Sequence, residues 1–251
     1  MSPRNLTAPT FARTRLGSGP GLLLAHGAGS SLAGTYGPVL EALAARHTVV
    51  GIDYPGSGDT PRSTTPLSVD DLADQLVAAA DAEGLDRFAV SGYSLGGPVA
   101  IRAATRHPER VTALVLTAAF PHRDNRLALA SSIQSKIAAS GDRELLAEFQ
   151  LMVALGTQAL ESMPAEQLQQ TLGYVAAGTV DGSADLAGIT VPTLVVSTTD
   201  DRLVSSALHR RLAETIPGAR LAEIATGHLP MLERTEEWLQ LITDFLDKHH
   251  A

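Results

Sequence analysis

Short apolar runs alternate along the chain with longer segments whose apolar residues recur at helical spacing. The runs predict strands at residues 22–26, 48–53, 88–92, 111–117, 193–197 and 220–225. Several of these runs are polar at one end only, which is typical of strands buried on both faces of a parallel sheet. The segments between them predict helices at residues 36–45, 69–83, 95–106, 205–216 and 236–248. The alternation predicts an α/β fold in which helices flank a mostly parallel sheet.

One long segment, from Phe120 to about residue 185, interrupts this alternation. Its Leu, Ala, Met and Phe residues follow helical spacing, and none of its stretches has a convincing strand pattern. Because the strand pattern resumes at Thr190, we expect one domain, with a core formed by residues 1–119 and 186–251 and an inserted helical cap at about 120–185. The glycine-rich stretch 17–21 is interpreted as a hairpin turn before the first buried strand.

The composition limits the class of protein. The chain has 251 residues, 44% of them hydrophobic, and no cysteine, which predicts one or two soluble globular domains without disulfides, thiolate metal sites or cysteine nucleophiles. A formal net charge of −8 argues against a nucleic-acid partner. No apolar run has the length of a signal peptide core or a membrane helix, so we expect a cytoplasmic protein with no membrane partner.

A G-x-S-x-G pattern follows the third predicted strand and opens a predicted helix. It is formed by Gly92, Ser94 and Gly96. A sharp strand-to-helix turn forces its serine into a strained conformation that larger neighbours would obstruct, and it exposes the hydroxyl at the tip. The unpaired N–H groups at the start of the helix then lie beside the hydroxyl, where they stabilise negative charge. The pattern predicts that Ser94 is a nucleophile, the alternative being a glycine-rich structural turn.

Two later stretches offer the base and the acid that a serine nucleophile requires. Asp200 and Asp201 follow the strand at 193–197, and His228 follows the last strand. Groups beyond the carboxyl ends of parallel strands converge on one crevice, so these side chains are expected to lie near Ser94. His47, His107 and His209 are interpreted instead as helix-end or exposed residues beside arginines.

The sequence resembles the α/β-hydrolase superfamily, in its compact form with a helical cap. The resemblance extends from Gly17 to about Leu246 and rests on His26-Gly27, the stretch 53–58, the Ser94 turn, the stretch 107–111, the stretch 201–204, and Gly227-His228 with Glu233. It implies an α/β-hydrolase fold in which Ser94 is the nucleophile, His228 the general base and acid, and Asp201 the orienting carboxylate. Asp201 is preferred because the family's acid begins a D-x-x-V pattern, and Asp200 is kept as a substitute.

The resemblance also implies an oxyanion hole and a substrate pocket. The oxyanion donors would be the backbone N–H groups of Leu95 and of Ala28, or of Gly29, with His26 as a structural residue that holds this loop. Apolar residues of the insertion could line a pocket over Ser94, or could simply pack the cap onto the core. These residues are Phe120, Phe149, Met152, Leu155, Met163 and Leu172.

The expected function is hydrolysis of an ester, thioester or lactone of a small, mainly apolar substrate through an acyl-enzyme. This chemistry needs no cofactor and no metal. Ser94 argues against dehalogenases and epoxide hydrolases, which resemble this fold but use aspartate at the turn. Carbon–carbon bond hydrolases and enol-lactonases share the triad and stay open as alternatives, as does a hydrolase-like protein that only binds its ligand. The oligomeric state is left open.

A dinucleotide-binding protein is the alternative from another fold class. Gly27-Ala28-Gly29 follows a predicted strand and Asp53 ends the next one, as in the dinucleotide-binding fingerprint. Leu32 stands where the third glycine of G-x-G-x-x-G belongs. This interpretation also leaves Ser94, Asp201 and His228 unexplained.

Overall fold

A computed structural model describes residues 11–64, 67–163 and 186–249. The strands are β1 Arg13–Leu16, β2 Gly21–Ala25, β3 Thr48–Ile52, β4 Phe88–Tyr93, β5 Val111–Thr117, β6 Thr193–Thr198 and β7 Arg220–Ile224. The helices are α1 Leu32–Ala44, α2 Val69–Ala82, α3 Gly96–Arg106, α4 Asn125–Ser140, α5 Arg143–Ala154, α6 Thr157–Ser162, α7 Ser206–Thr215, α8 Pro230–Glu233 and α9 Thr235–His249. Most elements therefore lie within one or two residues of the sequence prediction.

The seven described strands form one sheet in the order β1-β3-β2-β4-β5-β6-β7. β1 runs antiparallel to β3, and every other neighbouring pair is parallel. The predicted α/β class, a mostly parallel sheet flanked by helices, is confirmed. Because β4, β6 and β7 are parallel, the loops that follow them open at the same edge of the sheet.

The edge strand β1 is absent from the sequence prediction. It is only four residues long, RTRL, and mostly exposed, so it lacks the apolar run that identifies a buried strand. The hairpin interpretation of residues 17–21 is wrong, since β1 pairs with β3 and not with β2. The stretch instead passes along the turn between α1 and β3, where Gly17 has a φ of 72° and lies against the backbone of Ala44 and His47.

Two apolar layers cover the two faces of the sheet. Alternate residues of β2 point to opposite faces, so Leu23 joins one layer while Leu22 and Leu24 join the other. The first layer is completed by α2, α3 and α7, and the second by α1 and α9. The layers bury the middle of the sheet completely, and this rigid support leaves only the strand ends and loops accessible for chemistry.

The insertion is helical as far as it is described, from residue 120 to residue 163. It contains α4, α5 and α6, and no strand occurs within this range. Asp124 and Asp142 each accept a hydrogen bond from a backbone N–H of the first turn, which fixes where α4 and α5 begin. The rest of the expected cap, including Leu172, lies outside the described residues. Within the three described ranges, no helix is long and apolar enough to cross a membrane.

Candidate active site

The turn between β4 and α3 holds Ser94 in a conformation that L-residues rarely adopt. Ser94 has a φ of 50°, and its N–H donates to the carbonyl of Thr117 at 3.0 Å. A Cβ on Gly92 would overlap the carbonyl of Gly96, and a Cβ on Gly96 would overlap the carbonyl of Ala25. The two glycines are therefore required by close packing of backbone on both sides of the serine.

His228 reaches Ser94 from the loop after β7. Its Nε2 lies 2.9 Å from the Ser94 Oγ, and both side chains are buried. The backbone of His228 is held on both sides, because its N–H donates to the Ala154 carbonyl at 2.6 Å and its carbonyl accepts from the Tyr93 hydroxyl at 2.7 Å. A residue of the insertion and a residue of the Ser94 turn thus fix the backbone that carries the imidazole.

Asp201 lies on the opposite side of the imidazole. Its Oδ2 is 2.7 Å from the His228 Nδ1 and also accepts from the Thr198 hydroxyl at 2.8 Å. Its Oδ1 accepts the N–H groups of Leu203 and Val204 at 2.9 and 2.8 Å. Burial alone would raise the pKa of Asp201, but the neighbouring imidazole and the Val204 N–H outweigh burial and hold the pKa below its ordinary value. The carboxylate is thus kept ionised and can orient the imidazole.

The neighbouring carboxylate of Asp200 points elsewhere. Its Oδ2 accepts the backbone N–H of Thr157 at 2.5 Å, at the start of α6. Of the two adjacent aspartates that the sequence leaves open, the structure therefore brings Asp201 to His228 and Asp200 to the insertion. Their different partners follow from the turn after β6, in which Asp201 folds back onto the N–H groups of the next residues.

The loop after β2 lies beside the Ser94 turn and is fixed by His26. The Nδ1–H of His26 donates to the Gly27 carbonyl at 2.8 Å, and its Nε2 accepts the N–H of Tyr54 at 3.1 Å. Because a backbone N–H can only donate, Nε2 carries no proton and the ring is neutral. Burial lowers the pKa of His26 to about 4, which keeps it neutral.

The N–H groups expected to form the oxyanion hole lie at the ends of β2 and β4. Leu95 is buried immediately before α3, and neither its N–H nor that of Ala28 has a hydrogen-bond acceptor among the described residues. Gly29, the alternative to Ala28, has a φ of 68° and is half-buried. Free N–H groups at this point fit a site that receives a negatively charged oxygen.

The apolar residues proposed to line the pocket differ in how deeply they are buried. Phe120 and Leu155 are buried, and Phe120 packs with Leu127, Val204 and Leu208 next to the Asp201 loop. Phe149 is half-buried. Met152 is 55% exposed, because the buried stripe of α5 consists of Leu146, Ala147, Gln150, Leu151 and Ala154. Its place in the pocket stays a prediction, and Met163 borders an open cavity beside Glu233.

His209 is the clearest error of the sequence interpretation. It is fully buried instead of exposed, with its Nδ1 3.3 Å from the Ser197 hydroxyl. Burial lowers the pKa of His209 to about 4, although the negative charge of Asp201 acts in the opposite direction. Its spacing was the available signal, because it precedes Leu212 by three residues on the buried face of α7. His47 is also buried.

Tyr93 and Glu233 are the contributors that sequence reasoning did not assign a role. Glu233, on α8, accepts the N–H of Gly227, the residue before His228, at 3.1 Å. The Tyr93 hydroxyl bonds to His228, which lies 135 positions away, so no local motif indicates that contact. Glu233 lies only six positions from Gly227, and its place in the Gly227-His228 motif was the available signal. Asp53, considered as a dinucleotide ligand, accepts the Leu32 N–H at 2.8 Å and fixes the start of α1. Among the residues described, no cluster of three His, Asp or Glu side chains could hold a metal.

Comparison with known sequences supplies the family. Residues 22–241 match the sequence profile described as the alpha/beta hydrolase family. This chain belongs to that family. The hydrolase is 32% identical over 228 residues to a protein provisionally named carbamate hydrolase RutD from Azorhizobium caulinodans, covering 84% of each chain. It is 31% identical over 245 residues to a pyrrolizixenacetamide deacetylase from Xenorhabdus hominickii, covering 92% of each chain.

Solved structures agree on the fold of the hydrolase. The enol-lactonase from Burkholderia xenovorans LB400 superposes with a TM-score of 0.80 at 22% identity, covering 94% of this chain and 96% of the other. The resemblance inferred from the motifs is confirmed, and the protein is an enzyme of the alpha/beta hydrolase class.

Proposed function

We propose that this hydrolase cleaves an ester, thioester or lactone of a small, mainly apolar substrate through an acyl-enzyme on Ser94. One observation carries the proposal: the Ser94 Oγ, the two nitrogens of His228 and the Asp201 carboxylate form a continuous chain of hydrogen bonds of 2.9 and 2.7 Å. The left-handed conformation of Ser94 supports it, because strain of this kind at the serine of a strand-to-helix turn is typical of a nucleophile.

The first half of the reaction transfers the acyl group to the enzyme. With its proton on Nδ1 and bonded to Asp201, His228 has a free lone pair on Nε2, which takes the Ser94 proton as Oγ bonds to the carbonyl carbon. The N–H groups of Leu95 and Ala28 bind the resulting oxyanion. Collapse of this intermediate breaks the bond to the leaving group, which receives the proton from His228.

The second half returns the enzyme to its starting state. Water gives a proton to the Nε2 of His228 and attacks the acyl carbon, so that the oxyanion forms again in the same hole. The bond between the acyl carbon and the Ser94 Oγ then breaks, and the proton passes back to Ser94. A free acid is released and no cofactor is consumed.

The surroundings of the triad support an apolar acyl group. Val204, whose N–H donates to Asp201, packs against Phe120 in a small apolar cluster. Leu155, in the segment between α5 and α6, is fully buried. The relatives named for carbamate and acetamide cleavage indicate that acyl–nitrogen bonds belong in the substrate series beside oxygen and sulfur esters.

The test combines active-site labelling with turnover. A fluorophosphonate is added to the wild type and to Ser94→Ala and His228→Ala, and the intact mass is measured, while hydrolysis of short and medium acyl esters, thioesters, lactones and acetamides is followed in parallel. We expect one adduct in the wild type and none in Ser94→Ala. We also expect kcat to fall by about four orders of magnitude or more in both variants.

Asp201→Asn and Asp200→Asn form a matched pair. Asp201→Asn is expected to lower kcat by about 10⁴-fold, because the asparagine favours the wrong imidazole tautomer, and Asp200→Asn is expected to lower it far less. Equal losses in the two variants would argue against Asp201 as the orienting acid. Absence of both adduct and turnover in the wild type would refute the proposal.

A further inference from the structure

A short segment of the insertion lies directly against the loops that carry the triad. Residues 154–157, which we call the strap, connect α5 to α6. The Ala154 carbonyl accepts the N–H of His228, and the Thr157 N–H donates to Asp200. The Thr157 hydroxyl accepts from Arg202 at 2.5 Å. The strap is therefore bonded to both the His228 loop and the loop that contains Asp201.

Glu233 joins the strap to the His228 loop from a third side. Both of its carboxylate oxygens lie 3.3 Å from the N–H of Gly156, and its Oε2 also accepts the N–H of Gly227 at 3.1 Å. A carboxylate has several lone pairs and no proton to donate, so it can satisfy two N–H groups that face the same point. No other type of side chain of this length does so with a charge-assisted hydrogen bond.

The backbones of the strap and the His228 loop lie in direct contact at two glycines, Gly227 and Gly156. A Cβ on Gly227 would overlap the N–H of Gly156 and lie 2.6 Å from the Ala154 carbonyl oxygen. A Cβ on Gly156 would lie 2.9 Å from Glu233 Oε2 and from Asp200 Oδ2. Both positions have room only for glycine. We call this contact between Gly156, Gly227 and Glu233 the junction; its close packing depends on both glycines.

We propose that Glu233 is a positioning residue, which uses this junction to hold the His228 imidazole on Ser94. The inference rests on the proposed function. Glu233 holds the N–H of Gly227, one residue before His228, and the same carboxylate holds the strap, whose Ala154 carbonyl accepts the His228 N–H. The Tyr93 hydroxyl holds the carbonyl of His228 itself. The imidazole position then depends on the insertion, so α5 and α6 form part of the catalytic geometry as well as a cover over it.

Glu233→Gln is the first test, with the exposed Glu109→Gln as its control. Glutamine offers one acceptor oxygen and presents an NH₂ group to the second backbone N–H, so the junction opens with little change in side-chain volume. A small displacement of a catalytic base lowers turnover strongly. We expect kcat to fall by about 10- to 100-fold in Glu233→Gln with KM nearly unchanged, and neither value to change in Glu109→Gln.

Gly156→Ala tests the same junction by adding a Cβ on the strap. Its control is Gly188→Ala, since a Cβ at Gly188 meets nothing within 4 Å. We expect Gly156→Ala to reproduce the loss of kcat and Gly188→Ala to behave as the wild type. The melting temperature is measured for all four variants, because a purely structural role would lower it in Glu233→Gln and Gly156→Ala without changing kcat of the folded enzyme.

Proton NMR provides a readout that does not depend on turnover. The proton between the His228 Nδ1 and Asp201 gives a strongly deshielded signal, which Asp201→Asn removes and identifies. We expect Glu233→Gln to shift or broaden it and Glu109→Gln to leave it unchanged. An unchanged signal and unchanged kcat in Glu233→Gln would overturn the positioning role. A wild type without turnover would refute the proposed function alone, because the signal still reports whether Glu233 holds His228.

Discussion

At the scale of single residues, the environment assigns different tasks to chemically identical side chains. His26 is buried between a carbonyl and an N–H and stays neutral, and its pKa is lowered to about 4. His209 is buried with the same direction and size of pKa shift, for the same main reason. His228, also buried, faces a hydroxyl on one side and a carboxylate on the other. The third arrangement suits proton transfer, whereas the first two suit a fixed charge state.

The two neutral histidines predict how stability depends on pH. Between pH 6.5 and 4 the unfolded chain takes up protons at His26 and His209 that the folded protein does not bind. The free energy of unfolding therefore decreases as the pH falls through this window, by at most about 3 kcal/mol for each histidine. The ionised Asp201 stabilises the folded protein throughout this window, because its pKa in the folded protein is lowered. This stabilisation is lost only below the window, as the pH falls from the ordinary carboxyl pKa through the lowered pKa of Asp201. Urea unfolding at several pH values measures the slope.

His209→Gln isolates one of these two histidines. We expect the slope of unfolding free energy against pH between 6.5 and 4 to become shallower by up to about 1.4 kcal/mol per pH unit. Leu129→Gln, at an exposed residue that does not titrate, should keep the wild-type slope. An identical slope in all three proteins would contradict the assignment of a buried neutral His209.

The residues of the candidate site differ in how far the sequence reveals them. Ser94 and His228 stand in local patterns whose meaning depends only on the adjacent strand and turn, so their proximity could be expected. Tyr93, Asp200 and Glu233 act through contacts between segments that are distant in the chain. Glu233 and Gly156 are 77 positions apart, for example. Such pairings follow from the packed fold and have no local pattern of their own.

At the scale of elements, prediction succeeded where burial imposes a pattern. β5 was predicted with its observed bounds because all but one of its residues are buried. β1 was missed because its pairing with β3 at the edge of the sheet leaves most of its side chains exposed. The start of α1 was placed four residues late, since its N-cap Ser31 and first residue Leu32 follow a glycine-rich loop without helical periodicity.

The packing of α9 on β5 yields a test at this scale. Trp238 is fully buried, and its Nε1–H donates to the Thr117 hydroxyl at 3.0 Å. We expect Trp238→Phe and Thr117→Val each to lower the free energy of unfolding by about 1–3 kcal/mol, because each leaves a buried polar group without its partner. The double variant should cost about 1 kcal/mol less than the two single costs combined.

Thr243→Val is the matched control for this cycle. Thr243 lies on the same helix, but its hydroxyl bonds to a carbonyl of its own helix. Its substitution is expected to change stability by less than about 0.5 kcal/mol and to be additive with Trp238→Phe. Strict additivity between Trp238→Phe and Thr117→Val would show that the hydrogen bond does not couple α9 to the sheet.

At the scale of the whole molecule, stability is concentrated in the middle of the sheet. β2 and β4 are buried at every residue, whereas β1 and most of β7 are exposed at the two edges. Amide hydrogens open either locally or with global unfolding, according to how deeply their segment is packed. We therefore expect hydrogen exchange to be slowest in β2, β4 and β5 and faster in β1, β7 and the exposed part of α4.

Hydrogen exchange followed by mass spectrometry, with increasing urea, checks this order. The central strands should exchange only through global unfolding, and the edge strands at lower free energy. Exchange of β4 as fast as that of β7 would contradict the expected distribution. The predicted division into core and cap is tested by the same data, because a separately stable cap would exchange as a unit of its own.

The distance along the chain between Ser94 and His228 has a consequence for synthesis. The two side chains are 134 positions apart, and β7 must pair with β6 before the loop that carries His228 can reach Ser94. During translation, a ribosome-bound chain that has exposed Ser94, its turn and half of the sheet still lacks the base. In the proposed mechanism the Ser94 hydroxyl therefore has no base to take its proton until β7 has paired with β6 and the loop that follows β7 has folded.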